Sequence, residues 1–332
     1  FENIKYLSKY HYQYSEEYKK ISKSIFKPIN KIKNINDLPF LHSSLFKNFN
    51  LKSNKDKILT KSYTSSGTSN SNLSIVNIDL KTAYLQSIAL KKIFLETIYL
   101  KPEIIFFIEK KNFLKSSASM SARGAAIKGF SQLCSRREFL LKNDNSINFD
   151  ILKNLSKYTN NKPFIIFGFT NQLWELFVKK LINKNFIIKR NKGIVIHGGG
   201  WKKMKDKSIK KNIFYNYIKK HTGIETIHDY YGMVEQTGSI YPECEKGFFH
   251  TSIFSDIILR DEDLNPIKEF EKVGIIQSLS LLPTSYPGHN ILTEDLGILK
   301  GIDNCKCGRL GKYFLIEGRV KNTDLRGCSD AI

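Results

Sequence analysis

Three short, continuously apolar runs constrain this chain most: Ile104–Ile108, Pro163–Gly168 and Gly193–Ile196. Each is closed by a loop and is too short for a buried helix, so each reads as a strand covered on both faces. Apolar residues recur at helical spacing in Gln172–Leu181 and Lys210–Lys220. Buried strands alternating with helices predict an α/β fold with a substantially parallel sheet. Upstream, Leu59–Leu80 reads as strand, polar loop, strand, with alternation over Leu73–Ile78. Asp79 can cap a helix starting near Leu80 that carries Leu85, Ala89 and Ile93. The charged stretch Lys9–Lys31 has helical period and suits an outer layer, closed by the turn signal Asn36-Asp37-Leu38-Pro39. From Phe248 onward the pattern changes to short strands and turns, including Gly274–Leu279 and Tyr313–Ile316, which predicts a β-rich subdomain.

The charge excludes less than it first suggests. Lys+Arg 53 against Asp+Glu 31 gives +22, which can signal nucleic acid or an anionic surface. Here the charge is Lys mixed with Asn and Ile along the whole chain, as in Lys27–Asn36 and Lys202–Lys211. That looks like AT-biased coding rather than a basic arm, so no nucleic-acid partner is expected. No apolar run approaches the roughly 20 residues that span a bilayer. Phe1–Tyr14 lacks the apolar centre of a signal peptide. With 5 cysteines, an odd number, the expectation is a cytoplasmic protein with reduced thiols.

Four segments can carry chemistry. Tyr63-Thr64-Ser65-Ser66-Gly67-Thr68-Ser69 places hydroxyls around a glycine, able to wrap an anion with backbone N–H groups and side-chain donors. A Ser/Thr-rich loop is more often only a loop, and the G-K-[ST] ending of a Walker loop is missing. In His228-Asp-Tyr-Tyr231-Gly232-Met-Val-Glu235-Gln-Thr-Gly238, an aromatic beside a glycine can stack on a purine. The carboxylate that follows can hold Mg²⁺, or be merely solvated. Leu292-Thr-Glu-Asp295-Leu-Gly297 offers an Asp to ribose hydroxyls, or an Asx-turn. Glu317-Gly-Arg319-Val-Lys-Asn-Thr-Asp-Leu-Arg-Gly-Cys328 offers a hinge, or a fraying tail. Separately, Cys244, His250, Cys305 and Cys307 total three thiols and one imidazole, a tetrahedral Zn²⁺ set. The tight Cys-x-Cys and the distance between the halves leave unrelated buried cysteines open. Cys134, in a basic stretch of helical character, has no assigned role.

In this order the segments resemble the adenylate-forming superfamily of acyl-CoA ligases and their relatives. His197-Gly-Gly199-Gly200-Trp-Lys202, Tyr231–Ser239, Ser285-Tyr-Pro-Gly-His289, Arg326-Gly-Cys-Ser-Asp330, Ser119–Phe130 and Phe167-Gly-Phe-Thr170 are similar to the acyl-protein synthetase (LuxE, long-chain-fatty-acid–luciferin-component ligase) family. The resemblance implies the large N-terminal domain of an adenylate-forming enzyme, with its C-terminal lid absent or vestigial. Its parts would be a helical segment (1–58), an α/β adenylation core (59–247), a β-rich subdomain (248–318) and a hinge with tail (319–332). It implies ATP and Mg²⁺ as cofactors, with Thr64, Ser65, Ser66, Gly67 and Thr68 at phosphate. Tyr231 and Gly232 would lie at adenine, Gly199 and Gly200 would let backbone approach the ring, and Asp295 would take the ribose. Glu235 would position Mg²⁺ and Arg319 would assist at ribose or phosphate.

The activity so implied is activation of a carboxylic, fatty acid to acyl-AMP and transfer to the thiol of Cys328. A partner reductase or acyltransferase would collect the acyl group. Arg326 beside Cys328 favours the reactive thiolate. Phenylacetate-CoA-ligase-like enzymes have a similar Cys…His…Cys-x-Cys arrangement, which implies a structural zinc. Val234 departs from the superfamily, where many members carry a phosphate-contacting Thr. His197, His228 and His289 sit beside motifs, yet an ionised carboxylate needs no base to attack phosphorus. Two alternatives remain at this stage: a CoA or carrier-protein ligase for a small acid in surface-polysaccharide synthesis, and a basic nucleotide- or nucleic-acid-binding protein.

Overall fold

The computed structural model describes residues 1–53, 61–65, 73–98, 100–116, 120–188, 192–200 and 209–320. In chain order the strands are β1 (Leu41–His42), β2 (Lys61–Thr64), β3 (Ile75–Ile78), β4 (Ile104–Lys110), β5 (Arg136–Leu141), β6 (Phe164–Phe169), β7 (Gly193–Gly198), β8 (Thr226–Tyr231), β9 (Tyr241–Pro242), β10 (Phe249–His250), β11 (Ser255–Arg260), β12 (Pro266–Ile267), β13 (Val273–Ser280), β14 (Asn290–Ile302) and β15 (Lys312–Arg319). The chain forms two compact units. One holds the described residues of Lys91–Tyr231; the other holds those of Phe1–Ser65, Ser69–Leu90 and Gly232–Asp324.

The Lys91–Tyr231 unit is built on parallel strands in the order β5–β4–β6–β7–β8. The three apolar runs are its centre, and every residue of β6 and β7 is buried. One face of the sheet packs Phe106, Ile166 and Val195 against Leu173, Phe177 and Phe214. On the other, Phe107 stacks on Phe139 at 5.6 Å and Phe130 meets Phe167 at 4.3 Å. Each such side chain contributes about 1.5–3 kcal/mol on burial, which is why continuous apolar runs rather than alternating ones mark these strands. The expected helix over Gln172–Leu181 differs in form. Its middle, Leu173–Val178, is a π-helix, and the wider turn keeps Leu173, Trp174, Phe177 and Val178 all in the core. Cys134 also departs from its expected helix: it is the extended residue closing a 3-10 turn, Ser131–Leu133, two residues before β5.

The other unit carries the antiparallel sheet β10–β15–β14–β13–β11–β12, with β1 adding in parallel to β14. Its strands are not all short, since β14 runs 13 residues. Register shifts between Leu296/Gly297 and Leu299/Gly301 let that strand bend across the sheet. The charged stretch at the N-terminus forms two helices, Glu2–Tyr14 and Glu16–Ile25, rather than one over Lys9–Lys31. Ser15 breaks them in an extended conformation, and its hydroxyl accepts from the Tyr18 N–H at the start of the second. That helix ends at Phe26, two residues before Pro28, which cannot continue it. Asp79 caps the helix Leu80–Thr97 as expected, accepting from the Thr82 N–H at 2.7 Å.

Helix Glu2–Tyr14 is fastened by two histidines that are fully buried, His11 and His289, with ring centroids 4.7 Å apart. His11 Nε2 donates to the Pro283 carbonyl and Nδ1 accepts from the Ser53 hydroxyl, a neutral tautomer with both nitrogens used. Burial pushes the His11 imidazole down to about 3, and burial beside His11 pushes His289 well below its ordinary value. Both folded-state values lie below the unfolded value, so the unfolded chain binds more protons in acid. The stabilisation is complete above about pH 6.5 and is lost as pH falls toward about 3. Urea titrations at pH 7 and pH 5 should therefore show stability falling by roughly 1 kcal/mol per pH unit for each ring. His11→Gln should flatten that dependence; an unchanged slope would remove these histidines from the account.

Candidate active site

In the Phe1–Ser65 and Gly232–Asp324 unit, β14 and β15 bring the expected ribose and hinge residues together. Asp295 and Arg319 are register partners across the pair. Arg319 Nε lies 3.2 Å from Asp295 Oδ1, and its Nη2 donates to Glu294 Oε2 at 2.5 Å. One cross-strand arginine thus spans two successive carboxylates, fixing the direction of Asp295. Immediately beyond, Leu296 pairs with Gly318 and Gly297 with Ile316, so Glu317 is the extra residue of a bulge. Gly318 accepts it with φ 150°. The bulge re-aims the strand at the point where it carries the pair.

Glu235 belongs to the same unit, in the buried 3-10 turn Val234–Gln236. Gln236 anchors that turn by donating to the Ser278 and Gly288 carbonyls at 3.0 and 2.8 Å. Gly288 is obligatory there: a Cβ would come within 2.6 Å of the Glu235 carbonyl oxygen and 2.3 Å of the Tyr286 ring. The Ser285-Tyr-Pro-Gly-His289 segment therefore supports the Glu235 turn from behind. Thr64 ends β2, and Ser65 continues the ladder, its N–H reaching the Ser74 carbonyl at 2.9 Å. Ser66, Gly67 and Thr68 lie outside the described residues, as does Cys328.

In the Lys91–Tyr231 unit, Gly199 and Gly200 follow β7 and Tyr231 closes β8. Both glycines take left-handed backbone, φ 83° and 62°. Among the described residues a Cβ on Gly200 would meet nothing within 4 Å. At Gly198 a Cβ would strike the Tyr230 ring at 2.5 Å. Tyr230 is buried against Phe130, whereas its neighbour Tyr231 points the other way in the pleat and is half-buried. A planar ring with backbone left bare of side chains and a tyrosine at the next strand end suit a purine.

The four metal-type residues come together. The ligand atoms of Cys244, His250, Cys305 and Cys307 all lie within 4.8 Å of one another. Tetrahedral thiolates at 2.3 Å from zinc stand about 3.8 Å apart, so the set fits a four-coordinate ion. Two tight turns shape it: Gly247 N–H reaches the Cys244 carbonyl and Gly308 N–H the Cys305 carbonyl, both at 2.9 Å. Gly247 and Gly308 supply the left-handed φ of 82° and 80° that these turns require. The His250 ring stacks on Tyr313 at 5.7 Å, and its Nε2 lies 3.4 Å from Cys307 Sγ.

The sequence matches the family described as acyl-protein synthetase, LuxE, over residues 3–332. The chain belongs to that family. No curated protein matches it in sequence. Among solved structures it is similar to 2-hydroxyisobutyryl-CoA ligase in complex with 2-HIB-AMP and CoA, with TM-score 0.72 and 12% identity over 96% of this chain and 67% of that one. The same enzyme in an open conformation gives TM-score 0.68 and 13% identity, over 96% and 74%. ATP-bound MatB from Rhodopseudomonas palustris gives TM-score 0.51 and 13% identity over 78% of this chain. This chain spans only 47% of MatB. At such identities the likeness is one of fold: the α/β fold of adenylate-forming ligases. Among the described residues no helix is long and apolar enough to cross a membrane.

The structure also brings together residues whose contacts no motif announces. His197 is 2% exposed; its Nδ1 lies 2.9 Å from Thr170 Oγ1 and its Nε2 3.1 Å from the Tyr215 hydroxyl. Thr170 also donates to the Gly198 carbonyl at 3.1 Å. His197 thus ties the end of β7 to its neighbours just before the glycine turn. Asp229 Oδ1 stands 3.6 Å from His197 Nδ1, and burial pushes this carboxyl up to about 6. Nothing in the spacing of Thr170, His197 and Tyr215 announces that they meet. Glu294 lies in the Leu292–Gly297 segment, but its pairing with Arg319 has no sequence signal.

Proposed function

We propose that this protein activates a carboxylic acid, a fatty acid, with ATP and passes the acyl group to the thiol of Cys328. The observation that carries this reading is the family match over residues 3–332. A carboxylate oxygen attacks the α-phosphorus, the bond to pyrophosphate breaks, and acyl-AMP forms. Cys328 then loses its proton to solvent, its sulfur attacks the acyl carbon, and AMP departs with the electron pair of the broken C–O bond. No base is needed for the first step because the acid is already ionised. The protein's task there is positioning and charge neutralisation.

Tyr231 and Gly232 receive adenine, with Gly199 and Gly200 leaving the ring room. Asp295, aimed by Arg319, accepts from the ribose hydroxyls, and Thr64, Ser65, Ser66, Gly67 and Thr68 donate to phosphate. Glu235 would hold Mg²⁺, which neutralises phosphate charge when bound. Magnesium commonly takes only one or two protein carboxylates beside the phosphates, which a lone glutamate satisfies. Cys244, His250, Cys305 and Cys307 would hold a structural zinc. The thioester would be collected by a reductase or acyltransferase partner in the cytoplasm, where the thiols stay reduced.

A second reading has CoA as acceptor. It is favoured by the likeness to a CoA ligase solved with CoA. Acid-dependent exchange of labelled pyrophosphate into ATP tests the adenylation half common to both. Glu235→Gln should lower that exchange by about 10²–10³-fold, the usual effect of removing one transition-state electrostatic contact. Exchange that ignores both the acid and the substitution would sink the adenylation reading.

A further inference from the structure

The unit holding the N-terminal helices and the β14 sheet contains a cavity of about 670 Å³ whose lining holds none of the residues given a role toward ATP, though Glu294 on its wall pairs with Arg319. Its apolar walls come from Ile21, Ile25, Phe26, Phe40, Ile275 and Leu292. The size suits a small-molecule ligand, and the apolar lining suits a hydrocarbon. One cation is built into the wall. Arg260 is 4% exposed, and its guanidinium lies over the Phe40 ring at 4.5 Å, with Phe26 against Phe40 at 5.1 Å.

Arg260 is held entirely by neutral acceptors. Its Nε donates to Gln277 Oε1, Nη1 to the Leu264 carbonyl and Nη2 to the Asn36 carbonyl. Among the described residues it forms no ion pair; Asp37 and Asp261 act on it only through space. A guanidinium has five N–H donors, so two remain once these three are engaged. Of the carboxylates in the lining, Glu294 is paired with Arg319, and exposed Asp37 reaches Arg260 only through space. A buried cation with no carboxylate in direct contact is costly, and a carboxylate is the anion whose geometry a guanidinium fork matches. Leu264, whose carbonyl helps hold the fork, stands at φ 66°, a strained conformation for leucine.

We propose that this cavity is a second ligand site, for an alkyl chain headed by a carboxylate, with Arg260 receiving the head and the Phe26–Phe40 wall the chain. Glu294 and Val320 of its wall adjoin Asp295 and Arg319, but Arg260, Phe26 and Phe40 have no adenylation role, so the two readings can fail separately.

Isothermal titration of the full chain with dodecanoate, without nucleotide, tests it. Ile25→Glu is the main variant: Ile25 is 71% exposed, so the fold tolerates a change there, while the new carboxylate repels the ligand. Arg260→Met is the second variant, read only where its far-ultraviolet circular dichroism matches the wild type. Both should weaken dodecanoate binding roughly tenfold or more, and methyl dodecanoate should bind the wild type at least tenfold more weakly than the acid. Ile25→Glu should keep acid-dependent pyrophosphate exchange, while Glu235→Gln should lose exchange and keep dodecanoate binding. Unchanged binding in folded Ile25→Glu, or equal binding of acid and ester, would overturn the proposal. Loss of binding in Glu235→Gln would overturn it too, by assigning the bound acid to the adenylation site.

Discussion

Cys328→Ser protein is expected to keep its acid-dependent pyrophosphate exchange and to carry no acyl label that hydroxylamine releases. The two half-reactions ask for different chemistry. Forming acyl-AMP needs positioned phosphates and a neutralising cation, and Cys328 contributes to neither. Opening acyl-AMP needs a nucleophile, and at neutral pH a cysteine supplies a useful fraction of thiolate where a serine hydroxyl supplies almost no alkoxide. Arg326, two residues away in sequence, favours the thiolate further. The difference should be all or none on denatured protein, since a thioester survives denaturation and a bound adenylate does not. Labelled serine protein would move the acceptor to another residue. Unlabelled wild type that instead acylates added CoA would favour the soluble acceptor.

That prediction rests on sequence alone, and the reason separates what was legible from what was not. The parallel sheet could be read because β4, β6 and β7 are buried on both faces, and continuous apolar runs are an unambiguous consequence of that. The helix break at Ser15 was hidden, because both N-terminal helices share one charged, periodic texture. Only the hydrogen bond from the Tyr18 N–H to the Ser15 hydroxyl shows why the chain stops and restarts. The π-helix at Leu173–Val178 was hidden too, since an extra residue per turn changes the face presented without changing composition. Around the candidate site, residues inside contiguous motifs were visible. Their mutual contacts were not: Glu294 on Arg319, and Thr170 and Tyr215 around His197, meet through strand register and helix packing. Arg260, which ends β11 and meets Asn36 from 224 residues away, had no sequence signal.

Removing metal from the Cys244–His250–Cys305–Cys307 cluster should be the most damaging single change to stability. Zinc analysis of purified protein should return about one ion per chain, and Cys305→Ser or chelation should remove it. Without an ion the cluster is an awkward neighbour for a core. Burial pushes the Cys244 and Cys307 thiols up and the His250 imidazole down to about 4, so all three are neutral and weakly satisfied. A dication reverses that arrangement by taking thiolates and neutral imidazole as ligands, and binding releases protons. Metal affinity should therefore fall steeply as pH is lowered. The cluster joins the turn before β10 to the loop before β15, and β10 pairs only two residues with β15. So short a pairing contributes little unless the metal fixes its ends. A loss of about 3 kcal/mol in a unit of this size corresponds to a fall in Tm of roughly 10 °C. Calorimetry of wild type, Cys305→Ser and chelated protein measures it directly. A metal-free wild type, or a serine variant that melts with the wild type, would leave three neighbouring cysteines and a histidine as packing and nothing more.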